Sequence, residues 1–226
     1  MAYQLSLAST SAWFRIIVAF IISYLIGSIP IGVLVSKLHQ GIDIRRYGTG
    51  NIGASNVFYN VGFGPAAITG VGVFCQGVAP AGIARLLNLG LPTIAACALG
   101  SVIGYGWSIF LGFNGGRGVG IATGAVAGMY PLALALVLPL YAIGYLAHQI
   151  AVFVLLAFLA LPIFMYVKGA SMWLVGAAVI LLIVLVLRRL EGITADLKEH
   201  PKQKVIIDRL LFDRRPGQRL KGPRTA

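Results

Sequence analysis

An all-α, polytopic membrane protein of about seven transmembrane helices, some of them short or broken, is the fold class this sequence predicts. Three observations lead to it. Hydrophobic residues make up 58% of the 226 and charged residues only 11%, with a mean hydropathy of +0.89; such chains place their helices in lipid rather than around a water-facing core. Apolar runs recur at about 13–36, 61–83, 91–112, 118–129, 131–147, 150–167 and 172–187, against the roughly 20 helical residues that a hydrocarbon core requires. Glycine is frequent, 29 residues, at spacings such as Gly120, Gly124 and Gly128 or Gly64, Gly70 and Gly72. Small residues so placed let helix backbones approach closely in a bilayer.

The first run is too long for the core of a signal peptide and has no short Ala-x-Ala cut site at its end, so it reads as a retained span in a mature protein beginning near Met1. The fourth run is short. Joining 118–147 into one span gives six crossings, and breaking it at Met129-Tyr130-Pro131 gives seven. Charge favours seven with an outward N-terminus: Lys37, Arg45, Arg46, Arg117 and the basic C-terminus then share the cytoplasmic face, leaving only Arg15, Arg85 and Lys168 elsewhere. This orientation sets the N-terminus outside and the C-terminus in the cytoplasm. Trp13, Trp107 and Trp173 fall near span ends and read as interfacial anchors.

No repeat or low-complexity linker divides the chain, which resolves into a membrane domain at 1–190 and a basic cytoplasmic tail at 191–226. The formal net charge is +12, and 11 of the 18 Lys and Arg lie from Arg188 onward. Nucleic-acid binding needs a basic face on a soluble domain, which is absent; the tail instead suits anionic lipid, with 205–212 as a short amphipathic stretch at the surface. Cys75 and Cys97 lie in apolar, small-residue segments without neighbours at metal-ligand spacing, so both read as buried packing residues, and neither a metal nor a cofactor is expected.

Two polar islands interrupt this apolar chain. The first, Asp43 through Asn56, sets Arg45 and Arg46 beside glycines, Thr49, Asn51, Ser55 and Asn56. Glycines let backbone N–H groups turn toward an anion, hydroxyls and amides add donors, and Arg supplies bidentate charge, which together suit a phosphate. The second, Asn114-Gly115-Gly116-Arg117-Gly118, flanks one guanidinium with three glycines; alone it reads as a tight turn with a positive-inside residue. Both islands fall on the same predicted face, where they can form one anion site. His39, His148 and His200 read as interfacial residues, and no general base stands near Ser28, Thr49 or Ser55 to activate a hydroxyl nucleophile.

These residues resemble the bacterial membrane glycerol-3-phosphate acyltransferases that use acyl phosphate, the PlsY type. The resemblance runs through Tyr24-Leu25-Ile26-Gly27-Ser28-Ile29-Pro30, Gly41-Ile42-Asp43-Ile44-Arg45, Gly48-Thr49-Gly50-Asn51-Ile52-Gly53-Ala54-Ser55-Asn56 and the second island, with Arg117 where the family has Lys. It implies a seven-span enzyme, open to the cytoplasm, that moves an acyl group from acyl phosphate to glycerol 3-phosphate and makes lysophosphatidate for phospholipid synthesis. It further implies that Ser28, Arg45, Thr49, Gly50, Asn51, Gly53, Ser55 and Asn56 bind substrate together with Gly115, Gly116, Arg117 and Gly118.

The sequence departs from the family pattern at several positions. Val73 and Gln76 stand where the family carries Asp and Lys, Tyr105 stands where it carries His, and Arg188-Arg189-Leu190-Glu191-Gly192 lacks its His and Asn. No catalytic residue is named on this basis. Three readings stay open: an active acyltransferase, a paralogue that binds phosphorylated lipid precursors without that chemistry, and a transporter suggested by the break near 129–131.

Overall fold

The computed structural model describes residues 2–191 and Val205, with side chains from Ala12 onward. Among these residues the structure is all-helical: α1 (Ala2–Ser28), α2 (Ile31–Gln40), α3 (Ala54–Asn60), α4 (Phe63–Leu86), α5 (Leu91–Gly106), α6 (Val119–Met129), α7 (Leu134–Leu146), α8 (Ile150–Val167) and α9 (Met172–Leu190). Apart from Glu191 and Val205, the proposed tail, with the 205–212 stretch and His200, lies outside the described residues.

Among the described residues, five segments are long and apolar enough to cross a membrane: Ala12–Gln40, Phe63–Leu86, Leu91–Leu111, Ile150–Val167 and Met172–Leu190. The shorter apolar helices Val119–Met129 and Pro131–Leu146 bring the number of apolar segments to seven, and the chain does break at Met129-Tyr130-Pro131. With 11 residues, α6 is only about 16 Å long, roughly half a hydrocarbon core. Pro30 separates α1 from α2 because a proline nitrogen has no hydrogen to continue the ladder.

Close backbone contact through glycine builds the bundle. In the α1–α5 seam, a Cβ on Gly27 would strike the carbonyl of Ser101, and one on Gly104 would strike that of Tyr24. In the α4–α6 seam, Gly77 faces the carbonyl of Ile121, and Gly124 faces that of Phe74. Gly124 was legible from its spacing. Gly64, by contrast, faces open space, and Gly70 meets only the Cβ of Ala54 at 3.5 Å. The packing therefore depends on which helix face each glycine occupies, which spacing alone does not reveal.

Some buried hydroxyls return to their own helices, as expected where no water is at hand: Ser36 donates to the carbonyl of Gly32 (2.7 Å), and Thr69 to that of Pro65 (2.8 Å). Exposed large apolar side chains such as Phe14, Ile68, Ile163 and Leu187 form the lipid-facing surface. Cys97 is buried as expected, but Cys75 is exposed, because it falls on the side of α4 opposite Gly77, which faces the α6 seam. Both islands gather at the end of the bundle where α1 finishes and α6 begins. Arg85, at the far end of α4, and Lys168, beyond the far end of α8, lie at the opposite end.

Candidate functional site

The first island folds around a single side chain. Asn56 is buried in α3, and its amide nitrogen donates to the carbonyls of Ile44 (3.2 Å), Tyr47 (3.0 Å) and Asn51 (2.8 Å). Its Oδ1 accepts from the backbone N–H of Thr49 and the amide of Asn60, both at 3.0 Å. Because the loop encircles this amide so tightly, Gly48 (φ 55°) has no room for a side chain: a Cβ there would collide with Asn56 and Asn60. Thr49 continues the winding by accepting from the N–H of Asn51 through its hydroxyl (3.3 Å). The loop thus presents Asn51 outward with its backbone already satisfied.

Arg45 is committed locally. The Asp43 carboxylate accepts from its Nη2 (2.6 Å), its Nε (3.0 Å) and its backbone N–H (3.1 Å). These hydrogen bonds hold the Asp43 carboxyl down at about 2, below its usual 3.8, and raise the Arg45 guanidinium above its ordinary value. The pair lies at the surface, with 38% of the Arg45 side chain and 16% of the Asp43 side chain exposed.

The second island is held from elsewhere in the chain. Gly115 and Gly116 donate through their N–H groups to the carbonyls of Gly106 and Tyr105, both at 3.1 Å, laying the loop along the end of α5. Neither tolerates a Cβ, which would meet the Gly106 backbone or the Tyr105 ring. Arg188, near the end of α9, donates to the carbonyls of Gly116 (3.1 Å) and Gly115 (2.9 Å), pairs with Glu191, and lies 5.3 Å over the ring of Trp107. Trp107 is therefore half-buried beneath a cation rather than being simply an interfacial anchor.

The two islands meet. The backbone N–H of Arg117 donates to Oδ1 of Asn51 at 3.3 Å, and together they border a cavity of about 280 Å³. Of the residues singled out in the sequence, Asn51, Gly53, Ser55, Arg117 and Gly118 line it. Thr49, Gly50, Asn56, Gly115 and Gly116 form the layer that shapes these loops. Ser28 lies deeper, bonded to the carbonyls of Tyr24 (2.8 Å) and Gly104 (3.3 Å) in the α1–α5 seam. The remaining wall is mixed: Gly70, Val73 and Val154 supply apolar surface, and α6 begins there, with first-turn N–H groups that have no acceptor within their own helix.

Reading the sequence alone missed two arginines of this site, one that lines the cavity and one that clamps the second island. Arg188 and Arg189 count there with the basic tail, but both are buried, at 7% and 4% exposure, on the last turn of α9. Arg189 lines the cavity and donates to the carbonyl of Ala151 at 3.1 Å. The sequence carries part of the signal: two arginines that directly continue an apolar span, before any turn residue, extend the helix, but the direction in which they turn is set by the neighbouring helices. Tyr105, noted only as a departure, is buried against the second island, and its hydroxyl comes within 3.6 Å of where a Cβ on Gly53 would stand. Among the described residues no cluster of His, Cys, Asp and Glu could hold a metal.

A membrane-embedded helical bundle with a donor-rich, two-arginine cavity at one end, walled elsewhere by apolar surface, is the layout of a site for an anionic amphiphile. Comparison with known proteins narrows the class. A family profile described as glycerol-3-phosphate acyltransferase matches residues 17–197, and the chain belongs to that family. The glycerol-3-phosphate acyltransferase of Geobacter sulfurreducens is 35% identical over 174 residues, covering 76% of this chain and 89% of the relative. That of Rubrobacter xylanophilus is 42% identical over 111 residues, covering 49% of this chain and 55% of its own length. The solved PlsY, an integral membrane glycerol 3-phosphate acyltransferase in its glycerol 3-phosphate form, superposes with a TM-score of 0.72 at 28% identity, covering 84% of this chain and 93% of that one.

Proposed function

We propose that this chain acylates glycerol 3-phosphate, using acyl phosphate as donor, to make lysophosphatidate for phospholipid synthesis. One observation carries the proposal: the two donor-rich loops converge through the Asn51–Arg117 hydrogen bond onto a single cavity. Both substrates carry a phosphate, and two guanidinium groups, Arg117 and Arg189, border that cavity. The position-1 oxygen of glycerol 3-phosphate attacks the acyl carbon, the bond from that carbon to the phosphate oxygen breaks, and the hydroxyl proton departs with inorganic phosphate.

With no histidine among the described residues of the wall, the chain contributes chiefly by holding the two anions in reacting geometry and by aiming N–H donors at the developing oxyanion. Asn51, Gly53, Ser55 and the first turn of α6 supply those donors, and the Val73–Val154 side receives the start of the acyl chain. The cavity faces the cytoplasm in this proposal, with the N-terminus outside a bacterial inner membrane and a basic tail against anionic lipid; the concentration of cations at the cavity end supports that orientation.

The test is acylation of radiolabelled glycerol 3-phosphate by the purified chain with palmitoyl phosphate. Turnover is expected, with kcat/KM falling about a hundredfold in Asn51→Ala, which loses both a wall donor and the link to Arg117. Binding of glycerol 3-phosphate without product at any enzyme level would leave a binding paralogue in place of the enzyme.

A further inference from the structure

We propose that Gln76, in the middle of α4 and outside the cavity wall, is a positioning residue for the first island, acting through the break between α1 and α2. Pro30 has no N–H, so the carbonyl of Ile26 loses the donor that would continue α1 and keeps only the tighter backbone bond from the N–H of Ile29 (3.2 Å). A helix interrupted at membrane depth is tolerated only where neighbours satisfy the freed carbonyls. Gln76 does this from the adjacent helix: it is 6% exposed, and its amide nitrogen donates to the carbonyls of Ile26 (2.5 Å), Gly27 (3.1 Å) and Ile29 (3.0 Å).

The clamp leads by contact to the site. Ile31, first residue of α2, packs on α4 one turn before Gln76, where a Cβ on Gly72 would stand 3.1 Å from its Cγ2. Gly32 lies directly against the carbonyl of Ile52, which is itself buried and next in sequence to Asn51. Releasing the carbonyls of 26–29 frees the entry of α2, and with it the surface on which the Asn51–Ile52 backbone rests. The fit at Gln76 is incomplete in a telling way. Two amide hydrogens serve three carbonyls, and the Gln76 Oε1 is buried without a partner. A lysine ammonium offers three donors and no acceptor, so it meets this set of carbonyls without the orphan.

The inference rests on the acyl-transfer reading only for its kinetic readout, so hydrogen exchange gives a second one. In the full chain in nanodiscs, Gln76→Leu is expected to speed exchange of the 48–55 amides about tenfold and to raise KM for glycerol 3-phosphate about tenfold, with kcat changed less than about threefold. Gln76→Lys is expected to restore both to within about twofold of wild type. Unchanged exchange at 48–55 in Gln76→Leu, or failure of Gln76→Lys to restore it, overturns the proposal. Should Gln76→Leu not fold, Gly32→Ala presses on the Ile52 carbonyl without touching Gln76; faster exchange at 48–55 supports the route, and unchanged exchange overturns it. A wild-type chain without turnover would sink the acyl-transfer reading, and the exchange comparison would still decide this one.

Discussion

The two loops that form the cavity have similar compositions and are built in opposite ways. The 43–56 loop is self-contained: its hub, Asn56, reaches backbone groups no more than 12 residues away. The 114–118 loop has almost no internal bonding and is clamped by Arg188, more than 70 residues downstream, and by the end of α5. Glycine therefore serves two purposes. In the first loop it lets the chain curl around an amide, and in the second it lets the chain lie flat against a tyrosine and a helix end.

If the first loop depends on one hub, removing that hub should produce the largest effect. Asn56→Ala deletes five hydrogen bonds and leaves buried backbone groups unsatisfied, each at about 1–3 kcal/mol. Loss of about 3 kcal/mol of positioning corresponds to a drop in kcat/KM of about a hundredfold or more. Exchange should accelerate at 44–51 first, leaving 115–116 near their wild-type rates. Equal loosening of both loops would erase the contrast between them.

This contrast also explains what the sequence made legible. The span pattern was readable because lipid imposes a strict length and apolarity on each helix, and the seven apolar segments fall close to the runs seen in the sequence. The first loop was readable because a contiguous run of Gly, Thr, Ser and Asn carries its own support. Arg188 and Arg189 were not, because a basic residue at a span end can turn either to headgroups or inward, and only the position of α5 and α8 decides. Gln76 and Tyr105 were visible merely as departures from a pattern. What they bind, three carbonyls of a broken helix and the flat side of a glycine pair, belongs to tertiary structure.

The remote clamp should matter next. Arg188→Leu removes donors to two carbonyls and the cation over Trp107, but the backbone pairing of Gly115 and Gly116 with α5 survives. A fall in kcat/KM of about ten- to thirtyfold is expected, a smaller loss than for Asn56→Ala, with faster exchange confined to 114–118. Arg188→Lys should recover only part of it, because a single ammonium cannot reproduce the planar fork that bridges adjacent carbonyls. Full recovery by lysine would mean that charge, not geometry, holds the second loop.

The smallest effect should come from the most conspicuous ion pair. Asp43 and Arg45 form the shortest charge-assisted bond of the first loop, yet the pair faces solvent, where such interactions contribute about 0.5 kcal/mol. Because the Asp43 carboxyl is depressed to about 2 from its usual 3.8, its contribution is complete above about pH 4 and fades as pH falls toward 2. Asp43→Asn should therefore change kcat/KM less than about threefold at pH 7 and leave the profile from about pH 5 to 9 unaltered in shape. Thermal unfolding of wild type and variant should converge as the pH is lowered toward 2, since protonation removes from the first what substitution removes from the second. A large loss at pH 7 would instead mean that Asp43 aims Arg45 at a bound anion, joining the exposed start of the loop to the cavity that Asn51 and Arg117 enclose.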